Sequence, residues 1–205
     1  MSSYPIRDPQ KDNLITPQNS VLIIIDYQPT QVNSVNSIPK SQLITNIVAV
    51  AEICMAFKVP VILSTVNVKT GMNKDTIPRL AAALPGIASY DRTIMNSWED
   101  KEFNEAVKSV GRKKLIMTAL WTEVCLAFPA LDALKEGFEV YPIVDAVGGT
   151  SVASHETGLR RMEQAGAKLT SVVQLICELQ RDWNRHETVP YFVKALTEAG
   201  AFLAE

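Results

Sequence analysis

The chain has 205 residues, with 20 Lys and Arg against 22 Asp and Glu and a formal charge of −2. This length predicts one globular domain over 1–205, and a composition of 47% hydrophobic and 20% charged residues excludes wholesale disorder. Binding to nucleic acid or to an anionic membrane surface needs a basic excess that the chain lacks. Its apolar runs also fall far short of the roughly 20 residues that span a bilayer.

The predicted elements alternate short β-branched runs with amphipathic stretches. The first run, 21–26, is continuously apolar up to Asp26, which is typical of a strand buried on both faces. The next stretch, 41–57, repeats apolar residues every three or four positions and therefore predicts a helix. The predicted strands are 21–26, 60–66, 89–95, 114–120, 138–144 and 168–173; the predicted helices are 41–57, 77–84, 102–110, 123–135, a helix to 164 capped by Ser151 or Ser154, and 191–203.

About six strands alternating with helices predict an α/β fold with three layers, in which a doubly wound parallel sheet carries helices on both faces. The common strand order for such a sheet is 3-2-1-4-5-6. The segment 181–205 departs from the alternation, since a polar connector leads into a helix rich in large apolar residues. We interpret it as an appendage that docks on a neighbouring subunit of a homo-oligomer, with docking on the chain's own body as the alternative.

The termini and cysteines bear on the cellular compartment. The polar, proline-broken amino terminus predicts no signal peptide, and three widely spaced cysteines form neither a disulfide framework nor a CxxC pair, so we expect a reduced, cytoplasmic protein. Cys54 and Cys177 lie in apolar runs and are predicted to be core residues. His155 and His186 adjoin no carboxylate or cysteine cluster. Both are interpreted as structural, and we expect neither a metal nor a cofactor.

Two residues that follow predicted strands are candidates for chemistry. Asp26 ends five apolar residues, a costly place for a charge unless it caps a helix, fixes a loop or takes part in catalysis. Thr122 resembles a helix N-cap, which puts Cys125 in the first helical turn, where the helix dipole favours a thiolate; a small buried hydrophobe is the alternative. In the order 3-2-1-4-5-6, Asp26 and Cys125 would face each other across one crevice as a base and a nucleophile.

Several stretches resemble the isochorismatase-like cysteine hydrolases over about 15–180. The stretches that carry this resemblance are 21–28, 119–125 and 144–146 followed by Ser154 and His155. Three further stretches, 96–98, 122–130 and 178–183, are most similar to the YcaC-like subgroup of that family. The YcaC-like resemblance also implies higher assemblies.

The resemblance implies an Asp–Lys–Cys triad in which Asp26 accepts the thiol proton, Cys125 attacks a carbonyl and water releases the acyl-enzyme. It also implies an oxyanion hole of backbone amides near Trp121 and Cys125, formed around a cis peptide bond between Leu120 and Trp121. The residue nearest to the family lysine is Arg92. Arginine cannot shuttle a proton, but it could hold Asp26 and favour the thiolate; a surface charge beside Asp91 is the alternative.

The family resemblance also bears on metal and substrate. Nicotinamidases of the family carry an aspartate and two histidines after the second strand, whereas 64–70 has no histidine. This difference argues against a metal and against nicotinamide, and Cys125 argues against isochorismatase activity, because true isochorismatases lack the nucleophilic cysteine.

The leading hypothesis is a metal-independent cysteine hydrolase of a small amide or related acyl compound, acting through a thioester. A non-catalytic oligomeric member of the fold, used for binding or scaffolding, is the alternative. A nucleotide binder is disfavoured because no glycine-rich turn follows the first strand. Besides Trp121, the candidate substrate-pocket residues are Tyr27, Gln31, Asn67, Asn96 and Trp98.

Overall fold

The computed structural model describes residues 7–202. The two ends of the predicted domain 1–205, the last residues of the predicted appendage 181–205 and the end of the predicted helix 191–203 lie outside this range.

A five-stranded parallel sheet forms the centre of the described chain, and its strands run in the order β3-β2-β1-β4-β5. The predicted α/β class and the order of these five strands are confirmed. The strands are β1 Ser20–Ile25, β2 Val61–Val66, β3 Ser89–Arg92, β4 Lys114–Ala119 and β5 Glu139–Pro142.

The predicted sixth strand, 168–173, is wrong for the described chain. Only a single bridge forms there, between Thr170 and Ile143. The chain turns into a helix at Val172 instead, because Asp145 Oδ1 accepts the Val172 amide at 2.9 Å and Ser171 caps the same helix. The chain at 168–170 still forms backbone hydrogen bonds with 140–144, but the start of the helix limits this pairing to a single bridge.

Helices cover both faces of the sheet. They are α1 Pro29–Asn33, α2 Lys40–Ala56, α3 Pro78–Ala83, α4 Lys101–Ser109, α5 Ala127–Lys135, α6 Val152–Gln164, α7 Val172–Gln180 and α8 Val189–Glu198. The predicted single helix 123–135 is divided: a π-helical turn, Thr122–Leu126, precedes α5, and we call it the cysteine turn. None of the helices within residues 7–202 is long and apolar enough to cross a membrane.

Side chains of β1 alternate between two hydrophobic cores, which explains why this strand is apolar throughout. Leu22 and Ile24 pack in the core that contains apolar residues of α2, α7 and α8. Val21, Ile23 and Ile25 pack on the other side, with apolar residues of α4, α5 and α6. The predicted three-layer arrangement is therefore present, and it fixes the carboxyl ends of the central strands.

The carboxyl-terminal helix docks on the chain's own body and still leaves apolar surface. Phe192 and Leu196 of α8 are buried in the core shared with α2 and α7. Four large side chains around α8 remain exposed, and we call them the carboxyl-terminal apolar patch: Trp183 59%, Tyr191 53%, Val193 36% and Phe202 39%. Beside this patch lies a cavity of about 320 Å³, lined in part by Cys177, Trp183 and Phe202.

Candidate active site

Strands β1, β3 and β4, of which β1 and β4 are neighbours and β3 is separated from β1 by β2, deliver the candidate catalytic residues to one edge of the sheet. Asp26 follows β1, Arg92 ends β3, and Cys125 lies in the cysteine turn just after β4. Asp26 has a φ of 62°, in the left-handed region that aspartate tolerates better than most residues. The chain therefore turns sharply at the end of β1 and directs the carboxylate toward its neighbours.

Arg92 binds Asp26 through both terminal nitrogens of its guanidinium group. Nη1 donates to Asp26 Oδ1 and Nη2 donates to Oδ2, each at 2.7 Å. Nη1 also donates to Ser64 Oγ at 3.0 Å, and Nη2 donates to the Met95 carbonyl at 3.1 Å. Arg92 is only 3% exposed and Asp26 is fully buried. Arg92 is therefore a buried partner of the carboxylate and not a surface charge.

Asp91, beside Arg92, has a different role. Its carboxylate accepts the amides of Val68 and Lys69 and the hydroxyl of Thr65. Asp91 thus holds the loop that follows β2, while Arg92 on the opposite side of the strand faces the candidate site.

The thiol of Cys125 lies close enough to the Asp26 carboxylate for each group to change the pKa of the other. Burial, together with the negative charge of Asp26, raises the pKa of Cys125 to about 12, although Arg92 and a backbone hydrogen bond from Trp121 act in the opposite direction. At neutral pH the resting group is therefore a thiol beside the Asp26 carboxylate. Arg92 favours the thiolate, as the sequence predicts, but burial has the larger effect on the pKa of Cys125.

The Asp26 carboxylate has the properties of a base for this thiol. Burial raises the pKa of Asp26, while the two hydrogen bonds and the charge of Arg92 oppose the increase. A carboxylate that is held in place and has a raised pKa accepts a thiol proton more readily than an ordinary aspartate.

The cysteine turn is fixed at its start by backbone contacts. The Thr122 amide donates to the Gly148 carbonyl at 2.9 Å, and the Trp121 carbonyl accepts the amides of Val124 and Leu126. The peptide bond between Leu120 and Trp121 is cis. Trp121, not Thr122, occupies the cap position of the turn. The prediction of Thr122 as N-cap is wrong, since its hydroxyl bonds instead to a side chain on α6.

That side chain is His155, whose Nδ1 lies 2.8 Å from Thr122 Oγ1. Sequence reasoning interpreted His155 as structural and did not connect it with the cysteine turn. The two residues are distant in sequence, so only the packing of α6 brings them together. His186 is exposed in the connector before α8.

Three of the predicted pocket residues direct polar groups to protein partners. The Tyr27 hydroxyl donates to the Ala146 carbonyl at 2.6 Å, and Trp98 Nε1 donates to Glu136 at 2.9 Å. Asn96 caps the short helix that contains Trp98. These bonds place Asn96 and Trp98 within the packing of α4 and α5, and they hold Tyr27 against the backbone of Ala146.

The other two predicted pocket residues lie on loops at the carboxyl edge. The backbone amide of Asn67 donates to the Arg92 carbonyl at 2.8 Å, which brings Asn67 beside Arg92. Gln31 Oε1 accepts Asn73 Nδ2 at 3.1 Å and connects α1 to the loop after β2. Their contact with a substrate stays a prediction.

Gln28 is a supporting residue that the analysis of site candidates missed. It is fully buried, donates to the carbonyls of Val66 and Lys74, and accepts the Val66 amide at 2.9 Å. It thereby connects the chain after Asp26 to the loop after β2. The sequence feature that could have identified Gln28 is its polar side chain two positions after Asp26, within a buried segment.

The remaining cysteines differ in exposure. Cys54 is buried in the α2 core, as predicted, and burial raises the pKa of its thiol. Cys177 is exposed, so its assignment to the core is wrong: α7 directs it toward the cavity beside the carboxyl-terminal apolar patch. Within residues 7–202, no cluster of three or more His, Cys, Asp or Glu side chains could hold a metal ion.

The chain matches a known protein family and is similar to proteins of that family. An isochorismatase domain model matches residues 20–174. The probable hydrolase YcaC of Escherichia coli strain K12 is 35% identical over 166 residues, which cover 80% of this chain and 79% of that protein.

Two solved structures are similar over most of the chain. A structure of YcaC from Pseudomonas aeruginosa with hexane-2,5-diol and covalent acrylamide has a TM-score of 0.85 and 30% identity, and the match covers 96% of this chain and 94% of that one. The E. coli YcaC crystal structure, described as an octameric hydrolase of unknown specificity, also has a TM-score of 0.85, with 31% identity and coverage of 92% and 91%.

Proposed function

Because the chain belongs to the YcaC-like isochorismatase family of hydrolases, we propose that it hydrolyses a small amide or related acyl compound with Cys125 as the nucleophile. The observation that carries this proposal is the position of Asp26. This buried carboxylate is held by both terminal guanidinium nitrogens of Arg92 and lies beside the thiol of Cys125. This is the arrangement of a nucleophile with its general base.

In the first half of the proposed reaction, Cys125 Sγ attacks the carbonyl carbon while Asp26 takes the thiol proton. The backbone amides of Trp121 and Cys125 donate hydrogen bonds to the oxyanion and stabilise it. In enzymes with such a site, removing one donor lowers the rate by about 10²–10³-fold. The tetrahedral intermediate then expels the amine, which takes the proton from Asp26, and a thioester remains.

In the second half, water attacks the thioester carbonyl and gives a proton to Asp26. Collapse of this intermediate releases the carboxylic acid, and the Cys125 sulfur recovers the proton. Arg92 holds the carboxylate in both halves and transfers no proton, since a guanidinium stays charged at any working pH. The scheme needs neither a metal nor a cofactor, and we expect activity to survive treatment with EDTA.

The similarity to YcaC also supports assembly and substrate size. The P. aeruginosa structure contains covalent acrylamide, a small electrophile, and this supports a site here that admits small molecules next to a reactive nucleophile. The E. coli structure is octameric, and we propose that this chain likewise forms a homo-oligomer. Its three free cysteines support a reducing, cytoplasmic location.

Acrylamide provides a direct test of the nucleophile. We expect it to alkylate Cys125 of the wild-type protein, with the site identified by peptide mass spectrometry. Asp26→Asn keeps the shape of the side chain but cannot accept the proton, and it should slow this alkylation by about 100-fold. The exposed Cys177 provides an internal control, because its rate of modification should be equal in both proteins.

The hydrolysis test uses a panel of small amides and measures ammonia release. Cys125→Ser should keep the circular dichroism of the wild type and lose turnover by at least about 10³-fold, because an alcohol is a far weaker acid than a thiol. Wild-type turnover by Cys125→Ser would contradict the proposal. Failure of acrylamide to modify Cys125 in the wild type would favour the non-catalytic alternative.

A further inference from the structure

Helix α6 lies so close to the cysteine turn that a side chain at Gly158 would crowd the backbone of the turn. A Cβ atom built on Gly158 would lie 3.0 Å from Glu123 Cα and 3.2 Å from the Glu123 nitrogen. Backbone therefore packs directly on backbone at this point. One turn earlier on the same helix, His155 Nδ1 lies 2.8 Å from the hydroxyl of Thr122, a residue with no exposed surface.

The charged groups that face His155 come from the cysteine turn and from α6 itself. Glu123 on the turn and Glu156 on the helix both favour a protonated imidazole, but burial has the larger effect and lowers the pKa of His155. Glu123 is held in turn by the amide and hydroxyl of Thr150, at 3.0 and 2.7 Å. His155 is therefore a neutral ring at pH 7 within an ordered set of polar groups.

We propose that His155 is a positioning residue for Cys125: its hydrogen bond to Thr122 fixes the cysteine turn on α6 and keeps the thiol sulfur against the Asp26 carboxylate. Thr122 and Cys125 lie in the same five-residue turn, so a shift of the first moves the second. Nothing in the proposed reaction requires His155 to touch the substrate. The inference rests on the proposed function, because it concerns the reactivity of Cys125.

The hydrogen bond between Thr122 and His155 depends on pH. The Thr122 hydroxyl can donate to Nδ1 of a neutral His155 ring. In a protonated ring both nitrogens carry hydrogen and Nδ1 can no longer accept, so the bond from Thr122 to His155 is lost. Since burial lowers the pKa of His155, the loss occurs below its ordinary range, on the acid side. An asparagine at position 155 has an oxygen that accepts the same bond and does not titrate.

The experiment measures the second-order rate of acrylamide addition to Cys125, by mass spectrometry, between pH 5 and 8. We expect His155→Leu and Thr122→Val each to slow the reaction by about 10-fold or more, and His155→Asn and Thr122→Ser to restore most of the rate. The double variant should react no more slowly than either single variant, because both substitutions remove the same bond. His155→Asn should also lose part of the acid-side decrease in rate.

Two controls separate positioning from general damage. His186→Leu removes the exposed histidine and should leave the rate unchanged, and the modification rate of Cys177 should be the same in every variant. Thermal unfolding identifies any variant that fails to fold; Thr122→Val then tests the bond where His155→Leu cannot.

The inference is overturned if folded His155→Leu reacts at the wild-type rate, or if His155→Asn reacts as slowly as His155→Leu. It is also overturned if the effects of the two single variants add in the double variant. These outcomes differ from failure of the proposed function, in which wild-type Cys125 does not react, or Asp26→Asn reacts as fast as the wild type.

Discussion

Arg92 offers Asp26 a contact that the lysine implied by the family resemblance could not make. A guanidinium presents two parallel N–H groups that match the two oxygens of a carboxylate, whereas an ammonium is a single point of charge. Here both bonds are 2.7 Å long and both groups are buried. The plane of the carboxylate is therefore fixed.

We expect Arg92→Lys to slow acrylamide addition to Cys125 by about 10-fold, because one carboxylate oxygen loses its donor and the base becomes less well oriented. Arg92→Met should be more severe. It leaves Asp26 buried without a partner and should lower the free energy of unfolding by about 3–5 kcal/mol.

Urea unfolding and mass spectrometry check both effects, and Arg160→Met on the exposed face of α6 is the matched control. Equal stability of Arg92→Met and the wild type would show that the ion pair has no such role.

The sequence was sufficient to predict that Asp26 and Cys125 meet, because both follow strands that are neighbours in the common order. The protonation state of Cys125 was not predictable in this way. Burial sets it, and burial results from the packing of helices that are distant in sequence. The exposure of Cys177 and the bond between Thr122 and His155 were missed for the same reason.

At the level of elements, the spacing of hydrophobic residues predicted most helices and the five strands. The segment 168–173 is the exception, and helix capping explains it. The residues 168–173 have strand composition, but Ser171 and Asp145 satisfy the first amides of α7 and start a helix there. Asp145 lies more than twenty positions upstream of this helix, so the local sequence pattern does not predict its contribution.

The amino end of the sheet contains an ion cluster that joins β4 and β5. Glu139 Oε2 accepts Lys168 at 2.6 Å and the nearly buried Lys114 at 2.9 Å. Burial disfavours the charged carboxylate, but these bonds prevail and lower the pKa of Glu139 from 4.5 to about 2. A lowered pKa means that the cluster stabilises the folded chain above pH 4.5 and loses this effect as the pH falls toward 2.

We therefore expect Glu139→Gln to lower the free energy of unfolding by about 1 kcal/mol at pH 7, since part of the cluster is exposed to solvent. The difference from the wild type should shrink between pH 4.5 and 2. Denaturant unfolding at several pH values measures it. Glu105→Gln is the control, because its ion pair with Lys101 is long and exposed, and a pH-independent difference for Glu139→Gln would contradict the assignment.

At the scale of the whole molecule, the carboxyl-terminal segment has two faces. Phe192 and Leu196 are buried against the chain's own core, so removing α8 would expose that core. The carboxyl-terminal apolar patch faces outward, and its large side chains are of the kind that is enriched at subunit interfaces. A test of assembly must therefore change the patch and leave α8 docked.

We expect Tyr191→Glu combined with Val193→Glu to reduce the assembly mass in light scattering, because charges replace apolar contacts at the patch. Met72→Glu is the control, since Met72 is 81% exposed on the loop after β2. A wild-type protein that is monomeric at micromolar concentration would refute assembly. An unchanged mass in the double variant would place the interface elsewhere.

The strand order also determines when the chain can first become reactive. The ion pair of Asp26 with Arg92 joins positions 66 residues apart, and Cys125 comes from a strand on the other side of β1. Contacts between parallel strands form late in folding, because long loops must close first. A nascent or partly refolded chain therefore has an ordinary Cys125 thiol without Asp26 beside it, and the proposed nucleophile meets its proposed base only when four strands are paired.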